Sequence, residues 1–84
     1  MTRFQIKFFE PEAVVFDTAS GDTHYLAPLP LELFRMIQDN PVMSAEGTYA
    51  ALATRMSLEI NPEFIRQTDE ALASLRRIGL LDTP

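Results

Sequence analysis

Along residues 4 to 9, Phe4, Ile6 and Phe8 alternate with Gln5 and Lys7. A period of two predicts a half-buried strand, which Glu10-Pro11-Glu12 ends. Residues 13–17 (AVVFD) and 22–27 (DTHYLA) are two further short apolar runs, joined by Thr18-Ala19-Ser20-Gly21, and they predict a hairpin. A type I turn with Gly21 in a left-handed bulge pairs Thr18 with Asp22, Phe16 with His24 and Val14 with Leu26. In that register Val14, Phe16, His24 and Leu26 share one face and Val15, Asp17, Thr23 and Tyr25 the other. A plain four-residue loop mixes these sets, so the bulged register, with its cleaner apolar face, is the one expected.

After Pro28 the period lengthens. Leu29, Leu33, Met36 and Ile37 follow helical spacing from a proline-rich start, and Asn40-Pro41 stops the run, predicting a helix over 29–39. Tyr49, Leu52, Ala53 and Met56 form a shorter stripe over 45–57, with Ser44 as N-cap and Gly47 weakening its first turn. A third helix over 62–78 has Asn61 as cap, Pro62 at its first position and a stripe of Ile65, Thr68, Leu72, Leu75 and Ile78. Gly79 terminates it. Glu63 in the first turn and Arg76 and Arg77 in the last complement the helix dipole. The expected fold class is α+β, a three-stranded antiparallel sheet followed by three helices in a single domain, 1–84.

Composition narrows what such a domain does. At 84 residues folding buries about three fifths of the chain's surface, enough for one core. Cysteine is absent, which removes disulfides, thiolate metal sites and a cysteine nucleophile, and suits a reducing cytoplasm. No apolar run reaches membrane length and the N-terminus does not read as a signal peptide, so a cytoplasmic protein without membrane contacts is expected. Twelve acids against seven bases give a net charge of -5. That balance argues against nucleic acid as a partner, because affinity for it rests on neutralising phosphates.

The lone histidine invites a catalytic reading with Ser20 and Asp17 or Asp22. There is no nucleophile elbow and no evident oxyanion donor, and packing beside Phe16 is the expected role of His24. In the bulged register Asp17 and His24 face opposite ways, which disfavours a shared metal. No phosphate-binding, dinucleotide or zinc-protease motif occurs, so no cofactor, metal or catalytic residue is expected. The apolar helical stripes read as core. The strand at 22–27 is different: it holds one charge and no proline, and as a sheet edge it offers free backbone donors and acceptors to an extended chain.

The run Phe16-Asp17 through Ser20-Gly21-Asp22-Thr23-His24-Tyr25-Leu26, a helix from Leu29 to Ile37, a second helix, and a third ending in Ile78-Gly79-Leu80-Leu81 resemble the PqqD family of small peptide chaperones, a type of RiPP recognition element. The likeness spans residues 13 to 82, and the Ser20-to-Leu26 segment is similar to the branch that accompanies an HPr-kinase-related protein. The resemblance implies a winged-helix-like fold and a non-catalytic module that binds the leader of a precursor peptide and presents it to a modifying enzyme. It further implies that the peptide adds beside the third strand, at Thr23, His24, Tyr25 and Leu26, and leans on the third helix at Phe64, Ile65, Thr68 and Leu72. Ala27 departs from the Asn that better-known members carry there, and Asp39-Asn40-Pro41 replaces their Asp-Gly turn. A homodimer by exchange of the N-terminal strand is a further assembly that a short terminal strand allows. The alternative reading is a winged-helix DNA-binding domain. Against it, the third helix carries Glu63, Asp69 and Glu70 beside Arg66 and Gln67, and the hairpin has no Lys or Arg.

Overall fold

The computed structural model describes residues 3–81; the ends of the expected 1–84 span, and of the 13–82 likeness, lie outside the described residues. Three strands are followed by three helices: β1 (Phe4–Phe9), β2 (Glu12–Asp17), β3 (Thr23–Leu26), α1 (Pro28–Asp39), α2 (Ala45–Met56) and α3 (Pro62–Arg77). The sheet is antiparallel in the order β1-β2-β3, so β2 is central and β3 an edge. No helix among the described residues is long and apolar enough to cross a membrane.

Local chemistry accounts for the helix ends. The Ser44 side chain accepts the Gly47 N–H at 3.0 Å, and Asn61 accepts the Phe64 N–H at 2.8 Å, each satisfying a donor that the first turn leaves unpaired. Prolines occupy the first turns of α1 and α3, where a missing N–H costs nothing. Past α3, Gly79 takes φ 89° and lets the Leu80 N–H return to the Leu75 carbonyl at 3.0 Å.

All three helices lie on one side of the sheet. The core joins Ala13, Val15 and Leu26 to Leu31, Leu33, Phe34 and Met36 of α1, Leu52 and Ala53 of α2, and Phe64, Ala71 and Leu75 of α3. Helix α1 touches β2, β3, α2 and α3 and is the hub of the packing. Wedged between layers, it buries more of its circumference than the expected Leu29-Leu33-Met36-Ile37 stripe; Leu31 and Phe34 join the core, while Leu29 and Ile37 are half-buried. In α3 the fully buried row is Phe64, Thr68, Ala71 and Leu75, with Ile65, Leu72 and Ile78 half-buried on its flanks. The row that meets α1 is thus rotated from the expected stripe.

The hairpin register differs from expectation by one residue. The structure pairs Ala13 with Leu26, Val14 with Tyr25, Val15 with His24 and Phe16 with Thr23. Asp17, not Thr18, stands opposite Asp22: its N–H donates to the Asp22 carbonyl, and the Gly21 N–H donates to the Asp17 carbonyl, both at 2.8 Å. Gly21 does adopt the left-handed conformation, φ 80°, but inside a plain four-residue loop. A one-residue slip moves a strand's whole side-chain set to the other face. Val15, placed on the open face by the bulged register, is fully buried; Val14 and Phe16, placed in the core, face outward. His24 lies opposite Val15, and not Phe16, and shares its face with Asp17.

The reason is the aspartate. A buried carboxylate needs paired donors. Arg3 supplies two, from Nε at 3.1 Å and an Nη at 2.9 Å, and the Ala19 N–H a third at 2.9 Å. With these partners the Asp17 side chain sits at 3% exposure as an ion pair. Counting apolar side chains alone overprices this register. The Arg3 guanidinium, together with the turn N–H and hydroxyl groups of Ala19 and Ser20, holds the Asp17 carboxyl far below the usual carboxylate range.

Candidate functional site

Strand β3 bonds to β2 on one side and, among the described residues, to no strand on the other. In an antiparallel pair, hydrogen-bonded positions alternate. The Asp17–Asp22 bond sets the phase. His24 and Leu26 therefore turn their backbone groups toward Val15 and Ala13, and Thr23 and Tyr25 present their N–H and C=O groups along the open edge. That edge carries neither proline nor a lysine, the usual devices that block strand pairing. β1 also has an open edge, but the cations Lys7 and Arg3 sit on that strand and beside it, stacked over Phe9 and Phe4 at 5.5 and 4.7 Å from the ring centres.

At the C-terminal end of β3 the chain enters α1, and α3 runs past at a distance from the sheet because it packs on α1. The gap is a groove of about 360 Å³ lined by Ala27, Leu29, Pro30, Gln67, Glu70 and Ala71. Beyond Gln67 a smaller depression of about 190 Å³ follows at the start of α3, lined by Leu58, Glu59, Asn61, Glu63, Phe64 and Gln67. A backbone edge and a groove with an apolar floor together make a place where an extended segment could gain both main-chain bonds and side-chain burial.

The residues expected at the site are only partly brought together. Thr23 and Tyr25 are exposed on the free edge, and His24 is half-buried on the inner face. Leu26 is in the core at 4% exposure, as are Phe64 at 4% and Thr68 at 0%, whose hydroxyl donates to the Phe64 carbonyl. At 3.6 residues per turn, Ile65 and Leu72 fall on the flank of α3 that holds Asp69, away from Gln67 and Glu70. That flank faces α2, where the Tyr49 hydroxyl donates to Asp69 at 2.5 Å. The α3 residues lining the groove are Gln67, Glu70 and Ala71, which the sequence reading missed. Their helical positions, one step round from the buried row, become readable once that row is known.

The register also fills the outer face differently from expectation, with Val14 and Phe16 in place of Val15 and Asp17 beside Thr23 and Tyr25. Phe9, Phe16 and Tyr25, at 54%, 40% and 63% exposure, share the outer face of the sheet with Val14. No element covers it among the described residues. A shallow depression of about 590 Å³ lies there, bordered by Phe9, Val14, Phe16 and Thr23. The Tyr25 hydroxyl donates to Glu12 at 2.9 Å, and that bond raises the phenol's pKa.

Several side chains weighed for catalysis or phosphate contact already have partners within the chain. Ser20 Oγ accepts the Asp22 N–H at 3.2 Å, and the Asp17 carboxylate is engaged by Arg3. Among the described residues no three His, Cys, Asp or Glu side chains gather as a metal-ligand set. On α3, Arg66 is committed to Glu63 and, at 2.7 Å, to Glu70, so it is not presented to a phosphate.

Fold and edge together define a small α+β domain, three antiparallel strands followed by three helices, with one edge of β3 left open beside a helix-walled groove. Among solved structures, one described as TbiB1 in complex with the TbiA(beta) leader peptide matches the whole of this chain and 94% of its own, with a TM-score of 0.74 and 14% sequence identity. At that identity the likeness is one of fold. No family model and no curated protein matches the sequence.

Proposed function

We propose that this chain is a non-catalytic peptide-binding module that takes an extended segment along the open edge of β3, in the manner of PqqD-like RiPP recognition elements. Its ligand is the leader of a precursor peptide, presented to a modifying enzyme; the HPr-kinase-related branch names the kind of partner it serves. The observation that carries this reading is the unpaired, uncharged edge at Thr23 and Tyr25 next to the groove walled by α1 and α3. The fold shared with TbiB1, a protein solved with a leader peptide, supports it. Thr23 to Leu26 contribute backbone more than side chains. The contacts first assigned to Phe64, Ile65, Thr68 and Leu72 pass to Gln67, Glu70 and Ala71.

The test is a titration of the full chain with leader segments of precursor peptides, followed by backbone amide shifts. Residues 23–27 and 67–71 move if the reading holds; shifts confined elsewhere, or none, reject it. Tyr25→Pro sharpens the result. Its N–H points off the sheet, so proline there removes a donor for the guest without breaking the β2–β3 ladder. The variant keeps its fold by circular dichroism and loses the peptide-induced shifts.

A further inference from the structure

The α3 wall of the groove and the depression beyond it carry more acid than base. Glu70 rims the groove, while Glu59 and Glu63 line the depression that continues it past Gln67. Arg77 shares this flank two turns beyond Glu70, and the base that lies between the carboxylates is Arg66. It is already engaged, donating to Glu63 and Glu70, which together hold its proton more tightly than an ordinary guanidinium does. Three carboxylates against the guanidiniums of Arg66 and, further along, Arg77 leave a surplus of one negative charge on this flank, and Glu59 has no ion-pair partner among the described residues. Asp22, at the head of β3, adds another acid at the far end of the edge, within a chain of net charge -5.

Spacing makes this wall legible to a strand. Alternate side chains of a strand point to one face about 7 Å apart, and Glu63 to Glu70 covers about 10 Å of helix. Two long side chains at positions i and i+2 of an added strand can therefore reach both carboxylates. The intervening positions fall on the outer face beside Thr23 and the exposed ring of Tyr25.

We infer that the segment taken up beside β3 is cationic, with Lys or Arg at alternate positions turned toward α3 and apolar or β-branched residues between them. The inference rests on the docking reading above and specifies its ligand. An acidic segment meets like charge at Glu59, Glu63 and Glu70. A basic one gains both local ion pairs and long-range attraction from the acidic chain.

The probes are two synthetic heptapeptides, acetyl-Thr-Val-Lys-Val-Lys-Val-Thr-amide and its counterpart with Glu at both Lys positions. Each is titrated into the full chain to millimolar concentration at low and at high salt, with the amides of residues 23–27 and 67–71 as reporters. At low salt the lysine peptide binds about tenfold tighter, as two exposed ion pairs allow; screening at high salt brings the two within about twofold. The double variant Glu59→Gln with Glu70→Gln narrows the low-salt gap, and Arg66→Ala widens it. Equal affinities, a preference for the glutamate peptide, or a gap indifferent to salt and to these variants overturns the cationic assignment while leaving the docking site standing. If neither peptide moves the β3 amides, the docking reading itself fails, and the ligand assignment with it.

Discussion

Val15 and Phe16 are consecutive residues of one strand, yet Val15 is at 0% exposure in the core while Phe16 is at 40% on a face nothing covers. The larger ring is outside and the smaller side chain inside, against what transfer from water alone favours. Two things decide it. The inner face must let α1 lie close, which Ala13 and Val15 permit and a ring would not, and inner alternation brings Asp17 to Arg3. A strand rich in apolar residues on both faces carries little local information about which face is core, and its partners settle the matter.

The sharpest way to break this contrast is to truncate inner and outer neighbours in pairs. Leu26→Ala removes a buried side chain of β3 and is expected to cost about 3 kcal/mol by chemical denaturation, in the range of core leucine truncations. Were Leu26→Ala to cost less than about 1 kcal/mol, the inner face would not be the core. Val15→Ala comes next, at about 2 kcal/mol. Phe16→Ala, although it deletes more atoms, should cost less than Val15→Ala; the reverse order would restore the bulged register.

Acid titration probes the residue that sets the register. Because the Asp17 carboxyl is held far below its ordinary range when folded, its contribution is complete above about pH 4 and is lost as pH falls below that value. Glu63, also lowered by its partner Arg66, adds a part of the same sign. The thermal midpoint should therefore drop on acidification, and Asp17→Asn should lower the neutral-pH midpoint and flatten that drop. An unchanged acid limb in Asp17→Asn would show that the Arg3 pair does not hold the hairpin. The smallest effect belongs to the outer face: Phe16→Thr, a good strand former at an open position, should change stability by no more than about 0.5 kcal/mol.

Helix α3 was nearly complete in the linear sequence. Asn61, Pro62 and Gly79 act within a turn of the backbone they cap or terminate, so their signals survive without knowledge of the rest. The strands were legible through alternation, and the absence of proline and lysine along 22–27 was legible too; that this strand forms an edge came from the sheet order. The rotation of the buried row in α3 was not, since it depends on where α1 lies. That rotation moved the candidate contacts from Phe64, Ile65, Thr68 and Leu72 to Gln67, Glu70 and Ala71.

The sequence by itself determined which segments are helix and strand, where most of them end, and that the third strand is unguarded, because caps, turns and periodicity act over a few residues. Only the tertiary structure decided which face of the hairpin is core and what walls the groove. Both depend on pairs far apart in the chain: Arg3 reaching Asp17 across fourteen residues, and α3 seated on α1 and not on the sheet.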